Sequence, residues 1–275
     1  MTVLAPPRIL YERPRTLDPK STHYCPGCGH GVIHRLLAEL FDELGLAERT
    51  IAVAPVGCAV LAYEYLRVDW IEAPHGRAPA VATGVRRVQP DAFVLTYQGD
   101  GDLAAIGTAE IVHAAARGER ISVIFVNNGI YGMTGGQMAP TTLLGQHTTS
   151  SPAGRDPALA GYPLPITEML SILPGVDYVA RGTVADAGSI GKLKAMIRRA
   201  FEVQLGGGHF TLVEVLANCP VGWGMTAPES IAHLADVAKV YPVGLLLDRA
   251  KGIVPASPVP YERPGRPAAA AAVEP

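Results

Sequence analysis

Cysteine is scarce in this chain of 275 residues: there are four, and two of them stand three positions apart in HYCPGCGHG, residues 23–31. Charge is scarce as well. Asp, Glu, Lys and Arg make up only 17% of the residues, against about 25% in ordinary soluble domains, so part of the surface is expected to meet other subunits. The formal charge of -2 leaves no basic excess, and no Lys/Arg-rich run offers a track for a nucleic-acid backbone. Long apolar runs are missing too: nothing approaches the roughly 18 residues of a membrane span, and MTVLAPPRILYERPR holds no apolar core with a small-residue cleavage site. Nucleic acid and membrane are thereby set aside, and a cytoplasmic location is expected. In such a reducing compartment, cysteines serve as metal ligands, catalytic groups or core fillers rather than structural disulfides.

What is present is a large apolar core, with 48% hydrophobic residues. Residues 1–22, rich in Pro and Arg, read as an N-terminal arm, and residues 251–275 as a Pro/Ala-rich, disordered tail. Between them TIAVAPV (50–56), AFVLTY (92–97), ISVIFVNN (121–128) and FTLVEVLA (210–217) are near-continuous apolar runs, the mark of strands covered on both faces. They alternate with helical periodicity over 32–45, 103–118 and 189–205. Alternating strands and helices predict an α/β fold of three layers with a mostly parallel central sheet. Ligands of such sheets collect beyond the carboxyl ends of the strands.

Two motifs fall at that edge. QGDGDLAAIG follows one strand and VNNGIYG ends the next, which places Asp100 and Asn128 side by side although they are 28 positions apart. A carboxylate and an amide oxygen are ligands that a magnesium ion accepts while it keeps phosphate or water oxygens elsewhere. Gly99 and Gly101 allow close approach of a diphosphate, and the N–H groups of a helix beginning near Leu103 point at it. Either motif alone reads as an ordinary turn; together on one βαβ unit they favour a metal-diphosphate cradle.

Cys25 and Cys28 precede the first helix, whereas Cys58 and Cys219 each follow a strand. Four thiolates converging at one edge suit zinc or an iron–sulfur cluster, and spacing does not choose between them. The plain alternative makes Cys58 and Cys219 small core residues and the CPGC pair a lone turn.

GDGDLAAIG with NNGIYGMTGGQMAPTT resembles the thiamine-diphosphate motif of the β subunits of 2-oxoacid:ferredoxin oxidoreductases. YCPGCGHG, APVGCA, HGRAPAVATG and ANCPVGWG extend the likeness over residues 20–250 in the right order. The resemblance implies a thiamine diphosphate-binding domain over 23–250, with Asp100, Asn128 and the carbonyl of Ile130 as magnesium ligands. It implies that Gly101, Asp102, Gly132 and Met133 contact the diphosphate side, and that Val56, Gly57, Cys58 and Ala59 line the thiazolium. His75 of HGR becomes a cofactor contact and the candidate catalytic acid or base, although a lone His is more often simply packed; His30, His34 and His147 have no comparable claim, and His34 is expected to be partly buried on its helix. Cys25, Cys28, Cys58 and Cys219 become the ligands of a 4Fe-4S cluster. Oxidation of the species left by decarboxylation needs a one-electron carrier, which zinc is not.

The family further implies partner subunits: a pyrimidine-domain α subunit that supplies the activating Glu, γ and ferredoxin-like δ chains, and ferredoxin as acceptor for a reaction of a 2-oxoacid with coenzyme A. The motif wording is most like the branched-chain type. Ala59, Val60 and Leu61 offer apolar contact and no cation, which favours 2-oxoisovalerate over 2-oxoglutarate. A 2-oxoglutarate- or pyruvate-specific relative, a non-redox thiamine decarboxylase subunit and a cysteine-rich scaffold that binds nothing are the competing readings.

Overall fold

The computed structural model describes residues 12–255, so the first eleven residues of the expected arm and the expected tail from residue 256 lie outside the described residues. The strands in chain order are β1 (Thr50–Ala54), β2 (Asp69–Glu72), β3 (Phe93–Gly99), β4 (Ser122–Asn127), the short pair β5 (Ile130–Tyr131) and β6 (Gln137–Met138), β7 (Val176–Thr183), β8 (Phe210–Leu216) and β9 (Gly244–Asp248). The helices are α1 (His30–Glu43), α2 (Ala78–Val88), α3 (Thr108–Arg117), α4 (Pro157–Ala160), α5 (Ile166–Ser171), α6 (Ala187–Leu205), α7 (Pro220–Trp223) and α8 (Ala227–Val240).

Seven strands form one sheet in the order β2-β1-β3-β4-β8-β7-β9, all parallel to their neighbours except β9, which runs against β7. One face buries Leu95, Tyr97, Val126 and Val215 under α1, α6 and α8; the other buries Val94, Phe125 and Leu212 under α2, α3 and α5. These are the three layers with a mostly parallel sheet that the alternating pattern predicts. The four apolar runs read as strands are β1, β3, β4 and β8, which lie next to one another in the sheet and are apolar on both faces because helices cover both.

The helix expected over 103–118 is broken. Residues Gly101–Ile106 form a π-helical turn, and α3 starts only at Thr108. The break sits at Gly107, whose N–H donates to the Asp102 carbonyl at 3.0 Å. A side chain at Gly107 would meet the Gly76 carbonyl at 2.7 Å, so the chain is thinned to glycine where these two turns touch. The described part of the arm is held on the body: the Thr16 hydroxyl donates to the Ala38 carbonyl of α1 at 3.1 Å, and Leu17 pairs with Leu66. Among the described residues no helix is long and apolar enough to cross a membrane.

Candidate functional site

Because β1, β3, β4 and β8 are adjacent and parallel, their carboxyl ends deliver residues 55–61, 100–107, 128–134 and 217–222 to one edge of the sheet. A cavity opens there. Every site residue expected from the sequence lines it except Cys25, Cys28 and Cys219: Val56, Gly57, Cys58 and Ala59 come from the β1 end, His75 from the turn before α2, Gly101 and Asp102 from the β3 end, and Gly132 and Met133 from the ribbon after β4. Asp100, Asn128 and Ile130 line it as well.

Asp100 is buried and held rigidly. Its Oδ1 accepts from the Gly101 N–H at 2.8 Å, and its Oδ2 accepts from the Gly129 N–H at 2.5 Å and the Thr141 hydroxyl at 2.8 Å. Burial pushes its pKa up to about 6, against the opposing pull of those donors. Among the described residues no Lys or Arg lines the cavity. A buried carboxylate beside neutral donors is the setting of a hard-cation ligand. Asn128 is buried next to it, with its own carbonyl fixed by the Trp223 indole N–H at 2.9 Å. At Gly99 a methyl group would meet nothing within 4 Å, so the wall beside Asp100 is open space. These residues fit a magnesium-bound diphosphate.

Tyr131, which sequence reasoning does not single out although it stands within NNGIYG, completes this wall. Its ring covers Gly101 so closely that a Cβ there would lie 2.3 Å from Cε1, and its hydroxyl donates to the Gly101 carbonyl at 3.1 Å. His30, set aside on sequence, also lines the cavity; its Nδ1 lies 2.6 Å from the Tyr97 hydroxyl, and burial pulls its pKa down to about 4. Its place within CPGCGHG, two residues after Cys28, was the available signal. His34 is fully buried rather than partly so, while His147 is exposed on the loop after β6.

Asp102 lines the cavity but is engaged within the protein. Oδ1 accepts from the Val56 N–H at 3.1 Å and the Gly76 N–H at 2.9 Å and lies 2.7 Å from His75 Nδ1, while Oδ2 accepts from Gln98 Nε2 at 2.7 Å. It thus ties together the turns after β1 and before α2, and it aims His75.

The cysteine-bearing turns are held by hydrogen bonds to their backbone carbonyls. Cys28 N–H donates to the Cys25 carbonyl at 3.0 Å, closing the CPGC turn. Asn218, one residue before Cys219, donates from Nδ2 to the Gly27 carbonyl at 2.9 Å, and His23 Nε2 lies 2.8 Å from the Cys58 carbonyl. Gly132 sits between two of the sulfurs: a methyl there would lie 3.2 Å from Cys58 Sγ and 3.3 Å from Cys219 Sγ. All four are free thiols, and burial first, then their mutual repulsion, pushes Cys58 up to about 11 and Cys219 up to about 12. Crowded thiols without a cation fit a thiolate-bound metal group, which would supply the missing positive charge. Among the described residues no three Cys, His, Asp or Glu side chains close on a single ion position.

Comparison with known proteins places the family and the fold. The family described as thiamine pyrophosphate enzyme, C-terminal TPP binding domain, matches residues 55–215. The ketoisovalerate oxidoreductase subunit VorA of Methanothermobacter thermautotrophicus is 48% identical over 87% of this chain and 50% of its own length. The 2-oxoglutarate synthase subunit KorB of Methanocaldococcus jannaschii is 36% identical over 73% of this chain and 70% of its own. A solved 2-oxoglutarate:ferredoxin oxidoreductase from Magnetococcus marinus superposes with a TM-score of 0.68 at 28% identity, covering 78% of this chain and 70% of that one. The chain spans about half the length of the ketoisovalerate relatives it matches.

Proposed function

The chain belongs to the thiamine diphosphate-binding subunits of the 2-oxoacid oxidoreductases, and on that premise we propose that it carries both cofactor and cluster in an enzyme that converts a 2-oxoacid, coenzyme A and oxidised ferredoxin to an acyl-CoA, CO2 and reduced ferredoxin. The observation that carries this reading is the pairing of Asp100 and Asn128 at neighbouring parallel strand ends, with the sulfurs of Cys58 and Cys219 flanking Gly132 of the same cavity wall.

In this reading residues 23–250 act as the diphosphate-type thiamine domain. Asp100, Asn128 and the Ile130 carbonyl would hold Mg2+, and because no Lys or Arg among the described residues lines the cavity, the N–H groups of the Gly-rich turn would share with that ion the compensation of the diphosphate charge. Thiamine diphosphate, when bound, supplies the electron sink that decarboxylation needs. His75, aimed by Asp102, holds or moves a proton at Nε2. Cys25, Cys28, Cys58 and Cys219 hold a 4Fe-4S cluster, which supplies one-electron transfer. The activating Glu comes from a pyrimidine-domain subunit, with γ and δ chains and ferredoxin as further partners. Four free thiols suit a cytoplasmic setting.

For the substrate, 2-oxoisovalerate is favoured. The ketoisovalerate relatives share 48% and 47% identity against 36% for the 2-oxoglutarate synthase subunit of Methanocaldococcus jannaschii, and among the described residues the cavity offers a second carboxylate no cation. Of the three residues read from sequence, Ala59 lines the cavity while Val60 and Leu61 lie half-buried in the turn beyond it. An unpaired carboxylate is costly to bury, whereas an isopropyl group gains about 0.8 kcal/mol per CH2. The test is kcat/KM of the complete complex with 2-oxoisovalerate, pyruvate and 2-oxoglutarate. A preference for 2-oxoglutarate overturns the substrate assignment alone, whereas failure to release thiamine diphosphate on denaturation overturns the whole reading.

A further inference from the structure

A buried ion pair sits one layer behind the candidate metal ligands. Arg181 on β7 and Glu214 on β8 are register partners, each 1% exposed, with Nε 2.6 Å from Oε2. The remaining guanidinium nitrogens fork onto Glu168 at 2.8 Å each, and one also donates to the Pro242 carbonyl at 3.1 Å. Two routes lead from this pair to the same atom. In the first, Glu214 Oε1 accepts from Asn127 Nδ2 at 2.7 Å, and Asn127 Oδ1 shares the Gly129 N–H, at 3.2 Å, with Asp100 Oδ2. In the second, the Tyr241 ring lies 5.3 Å from the guanidinium carbon; its hydroxyl donates to the Thr141 carbonyl at 3.1 Å, and the Thr141 hydroxyl donates to Asp100 Oδ2 at 2.8 Å.

Stability alone does not account for the pair. Taking two charges out of water costs more than a well-packed apolar pair of the same volume, which is often neutral or better. What an apolar pair cannot do is hold Asn127 in one amide orientation, and Asn127 precedes the candidate ligand Asn128.

We propose that Arg181 and Glu214 are positioning residues, which through Asn127 and through Tyr241 and Thr141 fix Asp100 in its metal-binding orientation. The inference rests on the reading of Asp100 and Asn128 as magnesium ligands. It assigns the first Asn of the NNG motif the task of orienting, as distinct from ligating. Residues that hydrogen-bond to metal ligands typically change metal affinity by about 10- to 100-fold when removed.

The experiment uses the complete complex, depleted of metal, with saturating thiamine diphosphate. Free Mn2+ is followed by electron paramagnetic resonance, and the melting temperature is measured without metal. Two variants are compared with the parent: Glu214→Gln, which keeps the shape, and the double change Arg181→Met with Glu214→Leu, which removes the charges together. The expected result is Mn2+ binding at least about 10-fold weaker in both, with the double variant melting near the parent. Mn2+ binding within twofold of the parent in folded variants overturns the positioning role, because a purely structural pair would leave the affinity intact. If neither variant folds, Tyr241→Phe decides: a several-fold loss of Mn2+ affinity supports the role, and an unchanged affinity overturns it. A parent complex that takes up no Mn2+ with thiamine diphosphate overturns the metal assignment itself, and this inference with it.

Discussion

Nδ1 of His75 lies 2.7 Å from Oδ1 of Asp102. A carboxylate can only accept, so Nδ1 carries the ring proton and Nε2 is left as the acceptor. The second carboxylate oxygen is pinned by Gln98, which keeps Asp102 from following the ring if it turns. His75→Gln is therefore expected to lower kcat by about 100-fold or more while KM and thiamine diphosphate content stay near the parent. Asp102→Asn, which offers the ring an amide in place of an anion, should cost a smaller part of that and alter the pH dependence of kcat. Retention of the parent kcat in the His75 variant would remove His75 from the proton-transfer role.

Gly132 separates the two halves of the site. A methyl group 3.2 and 3.3 Å from the sulfurs of Cys58 and Cys219 can be tolerated only if the sulfurs shift, and sulfurs fixed on iron cannot. Gly132→Ala should hold less than about half the iron and acid-labile sulfide of the parent while Asp100 and its donors are untouched, so thiamine diphosphate should still bind. Cys25→Ser should degrade the cluster outright, since a cluster of this type needs about four thiolates. Full iron content in Gly132→Ala would show that these two sulfurs do not share a cluster.

At Gly101 the clash is with a ring instead of a metal group. A Cβ would fall 2.3 to 2.7 Å from three atoms of Tyr131, forcing the turn that follows β3 away from the diphosphate wall. Gly101→Ala is expected to reduce thiamine diphosphate binding by about 30-fold or more, roughly 2 kcal/mol. Adding Tyr131→Ala should recover part of it, because the two substitutions share one contact and cannot be additive. Additive losses measured by calorimetry would mean that the ring does not hold the turn.

The centre of the sheet was legible in the sequence and its margins were not. β1, β3, β4 and β8 are apolar on both faces because helices cover both, so they stand out as runs. β2 is an edge strand with three exposed residues of four, and β7 carries Asp177, Arg181 and Gly182 among its apolar residues, which interrupts the pattern. Asp100 and Asn128 could be paired from sequence because each sits one residue beyond a legible strand. Thr141, Tyr241 and Asn127 could not, because their roles depend on a long loop and on Glu214 of β8 and Tyr241 at the end of α8, both more than a hundred positions from Asp100. Arg155 shows the same limit: it braces that loop through the carbonyls of Pro140, Thr142 and Tyr162, a set with no sequence period.

His34 gives the protein a pH signature independent of its cofactors. It is fully buried on α1, with Nε2 3.0 Å from the Tyr24 hydroxyl and Nδ1 without a partner among the described residues. Burial first, then the nearby His30 and His23, pull its pKa from 6.5 down to about 3. The unfolded chain therefore binds a proton below pH 6.5 that the folded chain refuses until about pH 3. Stability is full above that window and is lost as the pH falls through it, by up to about 1.4 kcal/mol per pH unit for this one group. His34→Gln, which keeps an acceptor for Tyr24 and has no proton to gain, should make the fall in stability between pH 6.5 and 4.5 shallower, leaving the part due to His30, while changing stability at pH 7.5 by no more than about 1 to 2 kcal/mol. Denaturant midpoints across that range measure the difference. Parallel curves for parent and variant would mean that His34 is charged, or solvated, in the folded protein.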